Sequence, residues 1–170
     1  MFLYHVVPPG MRGDRLYPLR QLRTKMPDIY RRHMAKYVDR PALPSTRIPP
    51  LECGWGDVVF LTAVHPRKLR AALHSCGHTD AAEMRAYEIH VDSIHQLESV
   101  VMYDRVGDRY VSYIPFNAIR MSEYDMVPED TLRHYRLSKL LGQKPFRHQY
   151  VPQILYRGSI DVSNAQIVTG

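Results

Sequence analysis

The chain has 170 residues, 45% of them apolar and 24% charged, and carries a net charge of +6. That size suits one compact domain and that composition an ordinary globular core, which sets aside the disordered, collagenous and disulfide-rich classes. The cationic excess, with an isoelectric point near 9.4, favours an anionic ligand such as a nucleotide, a nucleic acid or an acidic surface.

Residues 1–170 are therefore read as a single globular domain. The longest apolar run, Val58 to Val64, is far too short to cross a bilayer, and no basic region precedes an apolar one at the start. A cytoplasmic protein without membrane contact is the expectation. The two cysteines, Cys53 and Cys76, are too few for a disulfide framework, although a single bridge remains open.

In chain order, Phe2 to Val7 reads as a strand ended by Pro8-Pro9-Gly10, and a basic segment follows Leu16-Tyr17-Pro18-Leu19. Pro27 suits the first turn of a helix. Ile29, Tyr30, His33, Met34 and Tyr37 follow at helical spacing, with Arg31, Arg32 and Lys36 turned elsewhere. Four prolines between Arg40 and Pro50 remove donors and fix the backbone, so about 40–56 is expected to be a long loop and the first place to look for substrate gating.

Val58 to Val64 is the strongest strand pattern, and Pro66 opens a second helix that Gly77 closes. Tyr87 to Val91, Val100 to Tyr103 and Tyr110 to Ile114 alternate as strands, the last two joined through Gly107-Asp108. Pro128-Glu129-Asp130-Thr131 opens a third helix with acids at the positive end of its dipole, and Gly142 closes it. Gln153 to Arg157 is a strand, and Ile160 to Val168 suits an edge strand or a strand plus a turn. The fold class expected is α+β, with a largely antiparallel sheet and about three helices.

Several clusters are candidates for chemistry. His74-Ser75-Cys76-Gly77-His78 has zinc-type donors, but a structural site wants four ligands and Gly77 breaks the helix that would align them, so a solvated helix end is the better reading. The cations Arg31, Arg32 and Lys36, interleaved with tyrosines, suit a nucleic-acid surface. The plainer alternative turns both tyrosines to the core and leaves the cations solvated. There is no phosphate-cradling glycine loop and no glycine-flanked serine elbow.

Leu3-Tyr4-His5, the strand Asp57-Val58-Val59-Phe60-Leu61-Thr62 leading to His65-Pro66-Arg67, and Val151-Pro152-Gln153-Ile154-Leu155-Tyr156 with Ile160 resemble the ADP-ribosyltransferase fold, with DarT-type DNA-modifying toxins nearest and RNA 2′-phosphotransferases more distant. These patches cover about a quarter of the chain. As a whole the chain is also similar to small bacterial proteins of like length, which implies no activity.

The resemblance implies a split sheet, NAD as substrate and no metal. It places Tyr4 and His5 on the nicotinamide riboside, Phe60 or Thr62 on the nicotinamide ring, and His65 or Arg67 in proton transfer or beside phosphate. The family has a glutamate at the start of the last catalytic strand, where this chain has Gln153. A carboxamide can bind ribose but is neutral and cannot act as a base.

An NAD-consuming transferase acting on a nucleobase or nucleic acid, or an NAD glycohydrolase, is the first functional expectation. A non-catalytic nucleotide, nucleic-acid or protein-binding module on the same fold is the second. A histidine-based RNA-processing enzyme using His5, His65 and His148 is the third. The first two require the opening and closing strands to lie side by side, with His5 and Gln153 lining one hollow.

Overall fold

A computed structural model describes residues 1–108, 110–118 and 120–170. Its strands are β1 (Phe2–Val6), β2 (Arg15–Leu16), β3 (Arg47–Ile48), β4 (Cys53–Gly54), β5 (Val58–Leu61), β6 (Arg85–His90), β7 (Ser99–Tyr103), β8 (Ser112–Pro115), β9 (Gln153–Arg157), β10 (Ile160–Asp161) and β11 (Gln166–Thr169). The helices are α1 (Leu19–Lys25), α2 (Pro27–Met34), α3 (Pro66–Ser75) and α4 (Glu129–Leu140). The class is α+β and the pairing antiparallel throughout.

Two sheets form the body, one ordered β1-β6-β11 and the other β5-β9-β7-β8. Among the described residues one backbone bridge joins them, where Tyr4 and Thr62 exchange both hydrogen bonds, at 2.8 and 3.0 Å. In a continued ladder Val6 would next face Phe60, but the pairing stops. The His5 imidazole fills the gap instead, and Nδ1 donates to the Phe60 carbonyl at 2.7 Å.

Strand alternation sets the two faces of the four-stranded sheet. Val59, Leu61, Val101 and Ile154 turn into the main core with Leu3 and Ile89 from β1 and β6. Val58, Val100 and Leu155 turn the other way, onto Ile48 and Leu51. Each fully buried Leu or Ile contributes roughly 2 kcal/mol by its removal from water.

That second face gives the segment 40–56, expected as a long loop, short local structure. Ile48 and Leu51 need burial, and β3 pairs with β4 around them, with Trp55 N donating to Thr46 O at 2.8 Å. The prolines still exclude long ladders, and the rest of the segment is short 3₁₀ turns.

Among the helices, α1 was not expected as such. Leu22, its buried residue, packs with Met26 and Ile29 beneath the α1–α2 corner, and Pro27 forces the break between them. Helices α3 and α4 meet through Leu73, Ala72 and Tyr135. Gly77 ends α3 at φ +90°, a backbone conformation that residues with a Cβ rarely adopt. No described helix is long and apolar enough to cross a membrane.

The opening and closing strands do not lie side by side. β5 stands between them, paired fully with β9 and bridged once to β1. The apolar strand Val58 to Leu61, with Val58, Val59 and Leu61 buried, takes the position between them.

Candidate functional site

Two hollows adjoin at β5, one reaching the split between the sheets and the other lying over the four-stranded sheet. A small one, about 80 Å³, is lined by His5, Phe60, Trp55 and, from α2 and the turn after it, Ile29, His33 and Tyr37. A larger one, about 620 Å³, is lined by Phe60, Trp55, Gln153, Met102, Tyr113 and Tyr150, together with Arg40, Asp104, Arg147 and His148. Phe60 and Trp55 belong to both. Their rings lie 4.8 Å apart at 46°, forming an aromatic wall between the hollows.

Local sequence explains each position. Phe60, Leu155 and Gln153 share one face of the sheet by period-two alternation, with Gln153 opposite Met102 on β7. Trp55 is reached through Gly54 and Gly56. A Cβ on Gly56 would stand 3.1 Å from the Pro44 carbonyl, so the proline segment closes tightly on this turn. Asp57 caps it by accepting from Gly54 N at 2.9 Å and pairs with Arg20 at 3.1 Å.

The run before β9 is held from α4. Thr131 Oγ1 donates to Gln149 O at 2.8 Å, the Tyr135 hydroxyl donates to Arg147 O, and Phe146 N donates to His134 Nε2 at 3.1 Å. The Arg147 guanidinium donates to Ala82 O. At Tyr150 φ is +60°, an uncommon conformation for a bulky residue and located at the cavity wall.

The histidines here are neutral at pH 7. Burial pushes His148 down to about 4, with help from the Arg147 cation and His5. Burial, then Lys36, His5 and Arg32, push His33 down to about 4. His5 is lowered by burial, partly offset by its bond to the Phe60 carbonyl. His148 also lines a third hollow, about 700 Å³, bounded by Val6 to Met11 and by Glu83 to Arg85.

Of the residues singled out from sequence, Phe60, Gln153 and His148 line the larger hollow, and His5 and Phe60 line the smaller. His5 and Gln153 occupy different hollows, on the two sides of the aromatic wall. Gln153 Nε2 donates to Val151 O at 3.2 Å, which leaves its carbonyl oxygen to accept from a ligand hydroxyl.

The others are engaged elsewhere. Thr62 is buried, its hydroxyl accepting from Val64 N at 3.1 Å. Tyr4 lies on the opposite side of β1 from His5, donates to Glu88 at 3.2 Å and stacks edge-on against His65 at 4.9 Å; burial and the Glu88 charge push its pKa up to about 12. His65 caps α3 by accepting from Arg67 N at 3.0 Å, and Arg67 Nε donates to Thr169 O at 3.4 Å. None of these four lines either hollow.

The cations of α2 lie in solvent, with Arg32 paired to Asp28 at 3.3 Å, while Tyr30 and Tyr37 are half-buried. Among the described residues no group of three or more His, Cys, Asp or Glu can hold a metal. His78 is committed to the Tyr135 carbonyl at 2.9 Å, and Cys53 and Cys76 are free thiols.

Sequence reasoning missed Trp55, Arg40, Tyr150 and Asp104 as cavity residues. The one available signal was the only tryptophan of the chain set between two glycines.

No family model matches the chain, and no curated protein matches it. A search of solved structures finds Thermosipho africanus DarTG in complex with ADP-ribose, at 9% identity and a TM-score of 0.47, over 97% of this chain and 42% of that one. The chain thus spans less than half the length of the protein it matches, and the relation is distant.

Proposed function

We propose that the cavity of Phe60, Trp55 and Gln153 binds NAD or a related ADP-ribose-bearing nucleotide, and that the protein is an ADP-ribosyltransferase-like enzyme that releases nicotinamide. The ADP-ribosyl group would pass to a nucleobase, a nucleic acid or water. One observation carries this reading. Phe60 and Gln153, picked from separate strands for a nicotinamide and a ribose contact, line one cavity of about 620 Å³, in the size range of ligand pockets.

The chemistry of the lining supports it. Trp55 and Phe60 offer aromatic faces to a nicotinamide or adenine ring. Arg40 and Arg147 supply positive charge for a diphosphate. The free Gln153 carbonyl oxygen accepts from a ribose hydroxyl. His5 serves as a positioning residue, holding the Phe60 backbone across the split. The solvated cations Arg31 and Arg32 on α2 and Lys36 on the turn after it suit attraction of a polyanionic acceptor.

A second reading, binding without catalysis, is favoured by the amide at Gln153, which lacks the charge that stabilises a cationic ribosyl centre. The histidine-based nuclease reading loses support, because His65 is a helix cap on another face.

Isothermal titration with NAD and ADP-ribose, followed by a nicotinamide-release assay with and without oligonucleotides, tests these readings. Binding with release supports the enzyme, and binding without release supports the module. If neither nucleotide binds at millimolar concentration, both readings fail.

A further inference from the structure

Cleaving the bond between ribose C1″ and the nicotinamide nitrogen leaves the electron pair on nicotinamide and a positive charge shared between C1″ and the ring oxygen. A carboxylate near that centre is the most effective protein stabiliser available. Gln153 cannot supply one. Among the described residues lining the cavity there is a single carboxylate, that of Asp104, directly after β7.

Its position fits the need. Met102 lies opposite Gln153 in the β7–β9 ladder, and Asp104, two residues further along and just past the end of β7, lines the same cavity. That spacing corresponds to roughly 7 Å along the strand, within the width of a ribose and its substituents. The side chain is half-buried, and no hydrogen bond or ion pair to a described residue engages it. The cavity's other charged side chains are cationic, so a cationic ribosyl group has one anionic partner there.

We propose that Asp104 is the catalytic carboxylate of this site, standing in for the charge that Gln153 lacks, while Gln153 orients the ribose. This rests on the NAD-binding reading above. The step balances as NAD plus water, or an acceptor with an exchangeable hydrogen, giving ADP-ribose or its adduct, nicotinamide and one proton. The C1″–N bond breaks, a C1″–O or C1″–N bond to the nucleophile forms, and the nucleophile's proton passes to solvent.

The experiment compares the unmodified protein with Asp104→Asn, Gln153→Glu and the double variant, by NAD titration and by the rate of nicotinamide release. Asp104→Asn changes charge at nearly constant shape. It is expected to lower kcat about 100-fold or more while NAD affinity shifts by less than about threefold. Gln153→Glu in the Asp104→Asn background should recover most of the lost rate, since it returns a carboxylate to the same cavity.

If Asp104→Asn binds NAD and keeps kcat within threefold, the assignment is overturned. It is equally overturned if the unmodified protein binds NAD but releases no nicotinamide, an outcome that leaves nucleotide binding intact. Failure of every protein to bind NAD would instead remove the reading on which the assignment rests.

Discussion

His5 Nδ1 and the Phe60 carbonyl oxygen are 2.7 Å apart across the opening between the two sheets, at the first place where β1 and β5 no longer share a ladder. The carbonyl can only accept, so Nδ1 carries the proton and Nε2 is left as the free lone pair. The bond fixes the backbone of the residue whose ring separates the two hollows. His5→Ala leaves that carbonyl without its donor and should destabilise the fold by about 1–3 kcal/mol. NAD affinity should fall with it. His5→Asn, whose amide nitrogen can donate from a similar position, should recover part of both, measured by urea unfolding and titration.

Trp55 is the only tryptophan of the chain and lines both hollows, so its emission reports directly on their occupation. Addition of NAD or ADP-ribose should change the fluorescence intensity in a saturable way. Trp55→Phe should abolish the signal while retaining binding by calorimetry, because an aromatic face remains. Trp55→Ala should weaken binding about tenfold, in line with the worth of one stacked aromatic contact. A saturable signal that persists in Trp55→Phe would place the ligand elsewhere.

Sequence patterns located the sheet better than the site. The continuous apolar run Val58 to Leu61 and the Ile154-Leu155 pair within Gln153 to Arg157 mark strands buried on both faces, Phe2 to Val6 marks a partly buried one, and proline and glycine punctuation bounds α3 and α4. Helix α1 was obscured because only Leu22 in its seven residues is buried and its other side chains are largely polar. The neighbourhood of His5 and Gln153 depends on β5 lying between their strands, a long-range pairing that no local pattern encodes. Asp104 had no motif to announce it, and Tyr4, His65 and Arg67 were singled out by the family resemblance; their contacts here are to Glu88, within the cap of α3 and to the Thr169 carbonyl.

Tyr135, on α4, is fully buried against α3, and its hydroxyl donates to the Arg147 carbonyl. Tyr135→Phe keeps the ring and removes the donor. A loss of about 1–3 kcal/mol is expected from the unpaired carbonyl, together with faster amide hydrogen exchange over 146–150. Thr131→Val, which removes the hydroxyl bound to Gln149 O, should act in the same direction. The strained Tyr150 backbone depends on both anchors, so nucleotide affinity should decline in each variant even where the fold persists.

Neutral histidines packed near the split make stability depend on pH. His33 and His148 are both pushed down to about 4, chiefly by burial and then by neighbouring cations and His5, and His5 is lowered as well. In the unfolded chain the same side chains titrate near 6.5. Above about 6.5 they are neutral in both states and contribute no pH dependence. Below it the unfolded chain binds protons that the folded one does not, so stability falls with pH down to about 4 and these groups then cease to contribute. The melting temperature should therefore drop between pH 6.5 and 4, with net proton uptake on unfolding. His148→Asn should flatten that slope, because Asn does not titrate there. A slope unchanged in both His148→Asn and His33→Asn would show that these side chains are solvated rather than held neutral beside the cavity.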